Sequence, residues 1–334
     1  MEIYDLTEAP LSRKNGIYGG LAGHKDGILI DGEEWLIKYP KNITYLEGTG
    51  GASYSTSPLS EFIGSHVFAI LGFDVHRTIL AERRNKIVVA CKDFTDCENL
   101  LFEIRTVKNH ANEQMSEEFE REFKETGDKH HIDLEELLMH LRYNPILSVI
   151  EDIEERFWEQ AIIDVLINNN DRNNGNWGII RNIRNAEVPD KLAPIFDNGG
   201  SFQTKSSEEK IQKQLSDEKQ WKASAIGIVT AYSQDGHVYS ASKFLDLVSQ
   251  EAKLREALLR LGPRIKEGLP SVLEFIDSIP EVHTLRNGEI VTVCSEARKR
   301  LYKKQLVYRY EKLIVPAILT TASIESSRKI LGLV

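Results

Sequence analysis

The sequence predicts an α+β chain in two parts: a β-rich part with one helix over residues 1–94, and a larger, all-helical part over 95–334. Three observations carry this reading. Short apolar segments separated by turn residues dominate the first hundred residues, helical periodicity takes over from about residue 97, and a short polar link near Asp93 to Asp96 lies between them.

In chain order, Gly27-Ile28-Leu29-Ile30 and Glu34 to Tyr39 read as two strands joined at Asp31-Gly32, a dipeptide suited to a hairpin turn with positive φ. A helix follows from about Pro58 to Leu71. Leu59, Phe62, Ile63, Val67, Ile70 and Leu71 keep helical spacing there, and Gly72 can end it. Two further strands are expected near 74–81 and 86–91. The glutamate- and lysine-rich segment 111–127 reads as a solvated helix face or an insertion. From about Glu151 to Ile167, Ile153, Phe157, Ala161, Ile162, Val165 and Leu166 form a buried stripe that runs into Asn168-Asn169-Asn170. About four more helices are expected after Asp197, including Phe244 to Leu261 and one from the N-cap Ser295 to Leu313.

Composition excludes several classes. No apolar run approaches the roughly 20 residues needed to cross a bilayer, and Met1 to Asp5 lacks the pattern of a signal peptide. We therefore expect a cytoplasmic protein with no membrane contact. Three cysteines, Cys91, Cys97 and Cys294, show neither disulfide nor zinc spacing, and His130-His131 has no third ligand in view. With 42 basic and 51 acidic side chains the formal charge is −9, which argues against direct nucleic-acid binding, although Arg298-Lys299-Arg300 with Lys303-Lys304 could form a local basic patch.

Two stretches carry the chemistry, Asn170-Asp171-Arg172-Asn173-Asn174-Gly175-Asn176 and Pro194-Ile195-Phe196-Asp197-Asn198-Gly199. An Asn-, Asp- and Gly-rich cluster is by itself the composition of a turn. Two of them in this order supply more: a carboxylate at Asp171, an amide five residues later at Asn176, and a second carboxylate at Asp197 followed at two residues by glycine. This is the equipment of phosphoryl transfer, a base for the acceptor hydroxyl and two oxygen ligands for magnesium.

Other residues fit around them. Lys38 shares a strand face with Leu36 and could reach phosphate oxygens, though an edge-strand lysine would look the same. Glu61, early in the helix after it, could pair with Lys38 or serve only the helix dipole. Gly19, Gly20 and Gly23, in the turn Gly16 to Lys25, would let backbone N–H groups approach phosphates. Within the loop 41–57, whose role stays open, a second glycine-rich stretch at Glu47 to Ser53 reads as a flexible connection able to close over the cleft, with a direct phosphate cradle as the alternative. Cys91, Lys92, Asp93 and Phe94 run from an apolar strand into the link, where an ordinary strand end is the plain alternative.

Taken as a set, the glycine-rich turn, Ile37-Lys38-Tyr39-Pro40, Ser60-Glu61, Val88 to Phe94, Asn170 to Trp177 and Pro194 to Gly199 resemble the HipA-like serine/threonine kinases, most closely the short CtkA-like branch. The resemblance runs from about Gly16 to Phe202. It implies a two-lobed protein-kinase-like fold with the ATP site in the cleft between lobes, ATP and Mg2+ as cofactors, and transfer to serine or threonine. It makes Asp171 the catalytic base, Asn176 and Asp197 the metal ligands, Lys38 the phosphate-binding lysine, and Cys91 to Phe94 the adenine-binding hinge with Asp93 toward ribose. Toxin members carry a phosphorylatable serine in the glycine-rich turn, and Tyr18 to Gly23 has none. Ser53, Ser55, Thr56 and Ser57 remain candidate autophosphorylation targets.

The expected function is an ATP-dependent kinase acting on a protein hydroxyl of unidentified identity. Two alternatives stay open: a kinase for a small molecule or lipid, and a toxin-like nucleotide-binding regulator with little turnover. A helix-turn-helix partner of antitoxin type would favour the last.

Overall fold

The computed structural model describes residues 1–16, 25–46, 51–125 and 131–330. The chain divides into two compact units, Met1–Phe94 with Ile195–Ala225 and Glu267–Val307, and Thr95–Pro194 with Ile226–Lys266 and Tyr308–Val334. These units interleave along the chain, whereas the expected 1–94 and 95–334 division follows chain order.

The first unit is built on a five-stranded sheet of β1 (Tyr4–Asp5), β2 (Lys25–Ile30), β3 (Glu33–Lys38), β4 (Thr78–Arg83) and β5 (Lys86–Lys92), in the order β1-β4-β5-β3-β2. Only β1 and β4 run parallel. Asp31 (φ 52°) and Gly32 (φ 80°) make the expected turn between β2 and β3. Arg84 (φ 51°) and Asn85 (φ 53°) make a second turn of the same left-handed kind without glycine, a geometry whose hand matches strand twist. Alternation then separates two faces. Trp35, Ile37, Val88 and Ala90 enter one core with Leu6, Ile28, Tyr39 and Ala81, while Leu36 and Lys38 lie across from Cys91 and Val89 on the other face.

Helix α1 (Ser57–Ile70) carries Pro58 in its first turn, where the missing N–H costs nothing, and ends before Gly72 (φ 78°). It packs on β4 and β5. The strand expected at 74–81 begins only at Thr78. Residues 74–76 pair instead with the chain just before Asp197: Val75 bridges Ile195 in parallel, His76 N donates to Ile195 O at 3.0 Å, and Ile195 N donates to Asp74 O at 2.9 Å. Alternation shows that a segment is extended but not which partner it takes.

Ser295 does cap a helix, Glu296–Arg309, with its Oγ accepting from Arg298 N at 3.1 Å. Most of the basic run inside that helix is engaged within the fold, and Arg300 is exposed. Arg298 is buried against Glu208, Lys299 pairs with Glu296, Lys303 with Asp277, and Lys304 lies over the Trp221 ring.

The second unit opens with β6 (Asn99–Glu103), where helix was expected, followed by α2 (Ile104–Phe119), β7 (Ile132–Asp133), α3 (Leu134–Tyr143), α4 (Ile153–Ile167), β8 (Gly178–Asn182) and β9 (Lys191–Leu192). The later part of the chain is mainly helical, yet it carries the sheets β6-β8-β9 and His237–Ser240, Val229–Gln234 and β7, plus the hairpin of Val282–Thr284 and Ile290–Thr292. These strands have two to six residues, too few for a period to register. The charged segment from 111 is the second half of α2. Ala111 and Met115 form a small core with Phe123, so one side of it is buried, and residues 126–130 lie outside the described residues.

The expected helix Phe244 to Leu261 is broken. Ala241–Leu245 and a 3-10 turn, Asp246–Ser249, precede a longer helix, Ala252–Ser278, and the buried Arg255 donates to the Val248 carbonyl at the break, at 2.8 Å. The helix after Ser295 passes through a π turn at Tyr310–Ile314 into Val315–Ile330. No helix among the described residues is long and apolar enough to cross a membrane.

Candidate active site

In the first unit, β3 delivers Lys38 to the face of the sheet that carries Cys91. Its Nζ lies 2.8 Å from Glu61 Oε2 and 2.8 Å from Asp197 Oδ1. Glu61 comes from α1 and Asp197 from the chain after the Val75–Ile195 bridge, so three separate segments converge on one ammonium. Burial alone would push Lys38 toward neutrality, but Asp197 and Glu61 outweigh it and hold the ammonium charged well above its usual range. Glu61 shows the mirror balance. Burial pushes its carboxyl up, and Lys38 and His76 together hold it well below the ordinary carboxylate range.

Glu61 is gripped from two more directions. His76 Nε2 lies 3.0 Å from its Oε1, and the Asn198 backbone N–H donates to the same oxygen at 3.0 Å. Asn198 Nδ2 donates to Ser65 Oγ at 2.9 Å, and Ser65 Oγ lies 3.1 Å from His76 Nε2. The Asp197-Asn198-Gly199 turn therefore rests directly on α1. Glycine makes the approach possible, since a Cβ at Gly64 would sit 2.8 Å from Asn198 Cβ and 3.1 Å from Ser201 Oγ. Asp197 adopts φ 56°, a left-handed conformation that aspartate tolerates better than most residues.

Glu61, His76 and Cys91 also bring ligand atoms within 4.8 Å of one another. Their donors are already engaged, because both Glu61 oxygens hold partners and His76 Nε2 meets Glu61 and Ser65. A metal there would have to displace at least one of the partners that Glu61 now holds. His131, described and exposed, joins no such group among the described residues.

In the second unit, α4 is buried nearly all round and ends at Asn168, in the left-handed conformation (φ 56°) that turns the chain into the first motif. Asp164, inside the buried part of α4, receives Arg172 Nε at 2.9 Å, Arg172 Nη2 at 3.1 Å and Asn169 Nδ2 at 3.0 Å. Burial pushes the Asp164 carboxyl up, and the guanidinium and amide draw it back only in part. Arg172 Nη1 also donates to the Asn176 carbonyl at 3.0 Å, and Asn176 Nδ2 donates to the Asp171 carbonyl at 2.5 Å. One buried guanidinium thus ties together both ends of the loop that exposes the Asp171 carboxylate.

Cys91 is buried within β5, and the Lys92 and Asp93 amides are used inside the sheet, donating to Arg77 O at 2.8 Å and Glu34 O at 2.9 Å. The Lys92 side chain pairs with Glu33 at 2.7 Å. Asp93 Oδ2 takes the Lys14 ammonium at 2.7 Å, in a side chain only 6% exposed. Phe94 and Phe196 place their ring centroids 5.6 Å apart. Gly19, Gly20 and Gly23 lie outside the described residues, as do Glu47 to Gly50 of the second glycine-rich stretch.

Sequence reasoning did not single out His76, Ser65, Gly64, Asp164 or Arg172. A signal existed for one pair: an aspartate within the buried stripe of α4 demands a cation, and Arg172 in the motif supplies it.

The fold is that of a HipA-like protein kinase. A chain of the Shewanella oneidensis MR-1 toxin–antitoxin complex of HipA, HipB and operator DNA superimposes with a TM-score of 0.51 at 13% identity, over 90% of this chain and 68% of that one, a likeness of fold alone. A particular kinase to which this sequence is similar is CtkA. The chain is 28% identical over 311 residues to the serine/threonine-protein kinase CtkA of Helicobacter pylori strain J99, spanning 90% of this chain and 87% of the relative. The crystal structure of a Helicobacter pylori proinflammatory kinase CtkA superimposes with a TM-score of 0.79 at 26% identity, over 96% of this chain and 99% of that one. No family model matches the chain. The resemblance to HipA-like kinases of the CtkA type therefore extends over nearly the whole sequence.

Proposed function

We propose that the chain is an ATP- and magnesium-dependent serine/threonine protein kinase, moving the γ-phosphate to a protein hydroxyl. The observation that carries this reading is the convergence of Glu61 and Asp197 on Lys38, each at 2.8 Å. In a kinase such a lysine binds nucleotide phosphates while the helix glutamate fixes it.

The donor atoms suit magnesium, which prefers hard oxygen ligands and takes one or two carboxylates besides phosphate. Asp197 offers a carboxylate 39% exposed. The Asn176 amide nitrogen is used on the Asp171 carbonyl, which leaves its oxygen as the donor. Assigning both to magnesium rests on motif order and on the similarity to CtkA. When bound, the metal would neutralise phosphate charge. Lys38 then holds phosphate oxygens, and the exposed Asp171 carboxylate accepts the proton of the acceptor hydroxyl, which sharpens its oxygen as a nucleophile. Gly19, Gly20 and Gly23 are assigned to the phosphates. Cys91 to Phe94 form the hinge, with adenine against the Phe94 and Phe196 rings rather than on the Lys92 and Asp93 amides.

We divide the chain by role into an N-lobe, 1–94, and a C-lobe, 95–334. The reading includes cytoplasmic action, and copurification of a helix-turn-helix partner of antitoxin type from the native host would favour the toxin-like regulator instead. The deciding experiment is incubation with ATP and magnesium followed by mass spectrometry, alone and with candidate proteins. Phosphoserine or phosphothreonine in the wild type and none in Asp171→Asn is the expected result. Equal incorporation in both, from clean preparations, would overturn the assignment.

A further inference from the structure

We propose that His76 is a positioning residue that keeps the Lys38–Glu61 pair assembled at all times, so that this site needs no activating event to form it. The inference rests on the kinase reading above and extends it to regulation.

The hydrogen bonds around Glu61 fix where the His76 proton sits. Glu61 Oε1 lies 3.0 Å from His76 Nε2 and accepts the Asn198 N–H at 3.0 Å, while Oε2 accepts from Lys38 at 2.8 Å. A carboxylate held between these donors only accepts. His76 must therefore carry its proton on Nε2 and donate it to Glu61. Ser65 Oγ, 3.1 Å from the same nitrogen, then sits as a second acceptor beside the bond and itself accepts from Asn198 Nδ2 at 2.9 Å. Glu61 thus has three donors from three segments.

The backbone of His76 supplies the anchor for its own donor. Its N–H is bonded to Ile195 O at 3.0 Å, two residues before Asp197, and its ring is buried. The same residue that orients Glu61 is stitched to the chain that delivers Asp197. Rotation of Glu61 away from Lys38 would strand the buried Asn198 backbone N–H and take the carboxylate from the His76 N–H, leaving it only the neutral Ser65 hydroxyl oxygen. Kinases that switch by moving the glutamate helix let that glutamate leave its lysine. Here the histidine, α1 and the Asp197 turn form one hydrogen-bonded block, and leaving is opposed from within the unit.

The test compares His76→Leu, which removes the donor, with His76→Gln, which keeps an N–H of similar reach. Two readouts are used. The first is steady-state phosphorylation at varied ATP. The second is the acylation rate of Lys38 in the nucleotide-free protein, followed by peptide mass spectrometry, which requires no kinase activity. We expect His76→Leu to lower kcat roughly ten- to a hundredfold, the scale on which supporting partners of a site act, with ATP KM changed less, and to speed Lys38 acylation severalfold. His76→Gln should recover most of both. A wild type lacking activity, whose Lys38 is nonetheless released by His76→Leu and restored by His76→Gln, would overturn the kinase reading and leave the positioning role standing. An active wild type whose His76→Leu form keeps its kcat and its slow Lys38 acylation would overturn the positioning role. Should His76→Leu fail to fold, His76→Asn serves as the donor-displaced form, and unchanged Lys38 acylation in it would likewise overturn the positioning role.

Discussion

Lys38 and Asp197 stand 159 positions apart in the chain and 2.8 Å apart in the fold, joined by an ion pair that the lysine shares with Glu61. The pair places the proposed phosphate-binding cation and a proposed metal ligand in contact before either cofactor arrives. Loading the site must then exchange the Lys38–Asp197 contact for contacts to phosphate and magnesium, while Glu61 keeps its hold. Lys38→Met should accordingly lower phosphotransfer by orders of magnitude, and Lys38→Arg should not restore it, because a forked guanidinium does not reproduce a compact ammonium between two carboxylates. Radiolabelled transfer from ATP checks this, and near wild-type turnover in Lys38→Met would refute the assigned role.

Asp171→Asn and Asp197→Asn are expected to remove activity for different reasons. Loss of an oriented base costs roughly a hundred- to ten-thousandfold in rate, with nucleotide affinity little changed. Asp197→Asn should also weaken magnesium-dependent nucleotide binding, which calorimetry with and without the metal separates.

Arg172 and Asp164 form a buried pair, and removing one partner of such a pair typically costs about 3–5 kcal/mol. Arg172→Met should show a loss of this size in chemical denaturation. Asp164→Asn combined with Arg172→Met should recover a good part of it, since no uncompensated charge then remains. Activity should stay low in the double variant, because the Asn176 carbonyl has lost its donor. Additive losses in the cycle would contradict the pairing.

Glu61 gives the acid limb of the stability curve a defined sign. Its folded carboxyl is held below its unfolded value of roughly 4.3, so the unfolded chain binds more protons and stability rises with pH through that interval. The contribution is complete above the unfolded value and drains away as pH falls below it. Glu61→Gln should therefore be less stable than wild type at neutral pH, with the gap narrowing from about pH 5 to pH 3. Parallel curves over that range would show that the carboxylate is not held as described.

The three thiols differ in access. Cys97 is exposed, whereas Cys91 and Cys294 are buried, with burial pushing Cys294 up to about 12 and Cys91 higher still. A thiol reagent should label Cys97 in the native protein and all three cysteines in denaturant. Fast native labelling of Cys91 would mean that the sheet beneath Lys38 opens.

Gly64→Ala tests how tightly the Asp197 turn rests on α1. The new methyl group meets Asn198 Cβ at 2.8 Å. Overpacking costs about 1–3 kcal/mol, offset by about 1 kcal/mol of helix propensity. A modest fall in melting temperature with a disproportionate fall in kcat is expected, because the displaced element carries Asp197.

How much was legible follows from how local each signal was. Asp31-Gly32, the α1 spacing and the stripe of α4 are periodicities or turn chemistries complete within a dozen or so residues, and the structure shows each near its expected bounds. The Asn170 to Asn176 and Pro194 to Gly199 stretches were legible as sets because each carries its polar groups in a short span. β6 passes for helix in the sequence because five residues cannot show a period, and residues 74–76 read as strand with no sign that Ile195 is their partner.

The sequence by itself determined the order of the elements and which side chains were available for chemistry, since propensity and spacing act through neighbours. Tertiary structure alone decided what those side chains touch. It set His76 and the Asn198 amide on Glu61, used the Lys92 and Asp93 amides within the sheet, and paired Arg298, Lys299 and Lys303 of the basic run with carboxylates. The physical reason is that a buried polar group takes whichever partner packing brings within hydrogen-bond reach, and around Glu61 those partners lie 15 to 137 residues away, where no local pattern records them.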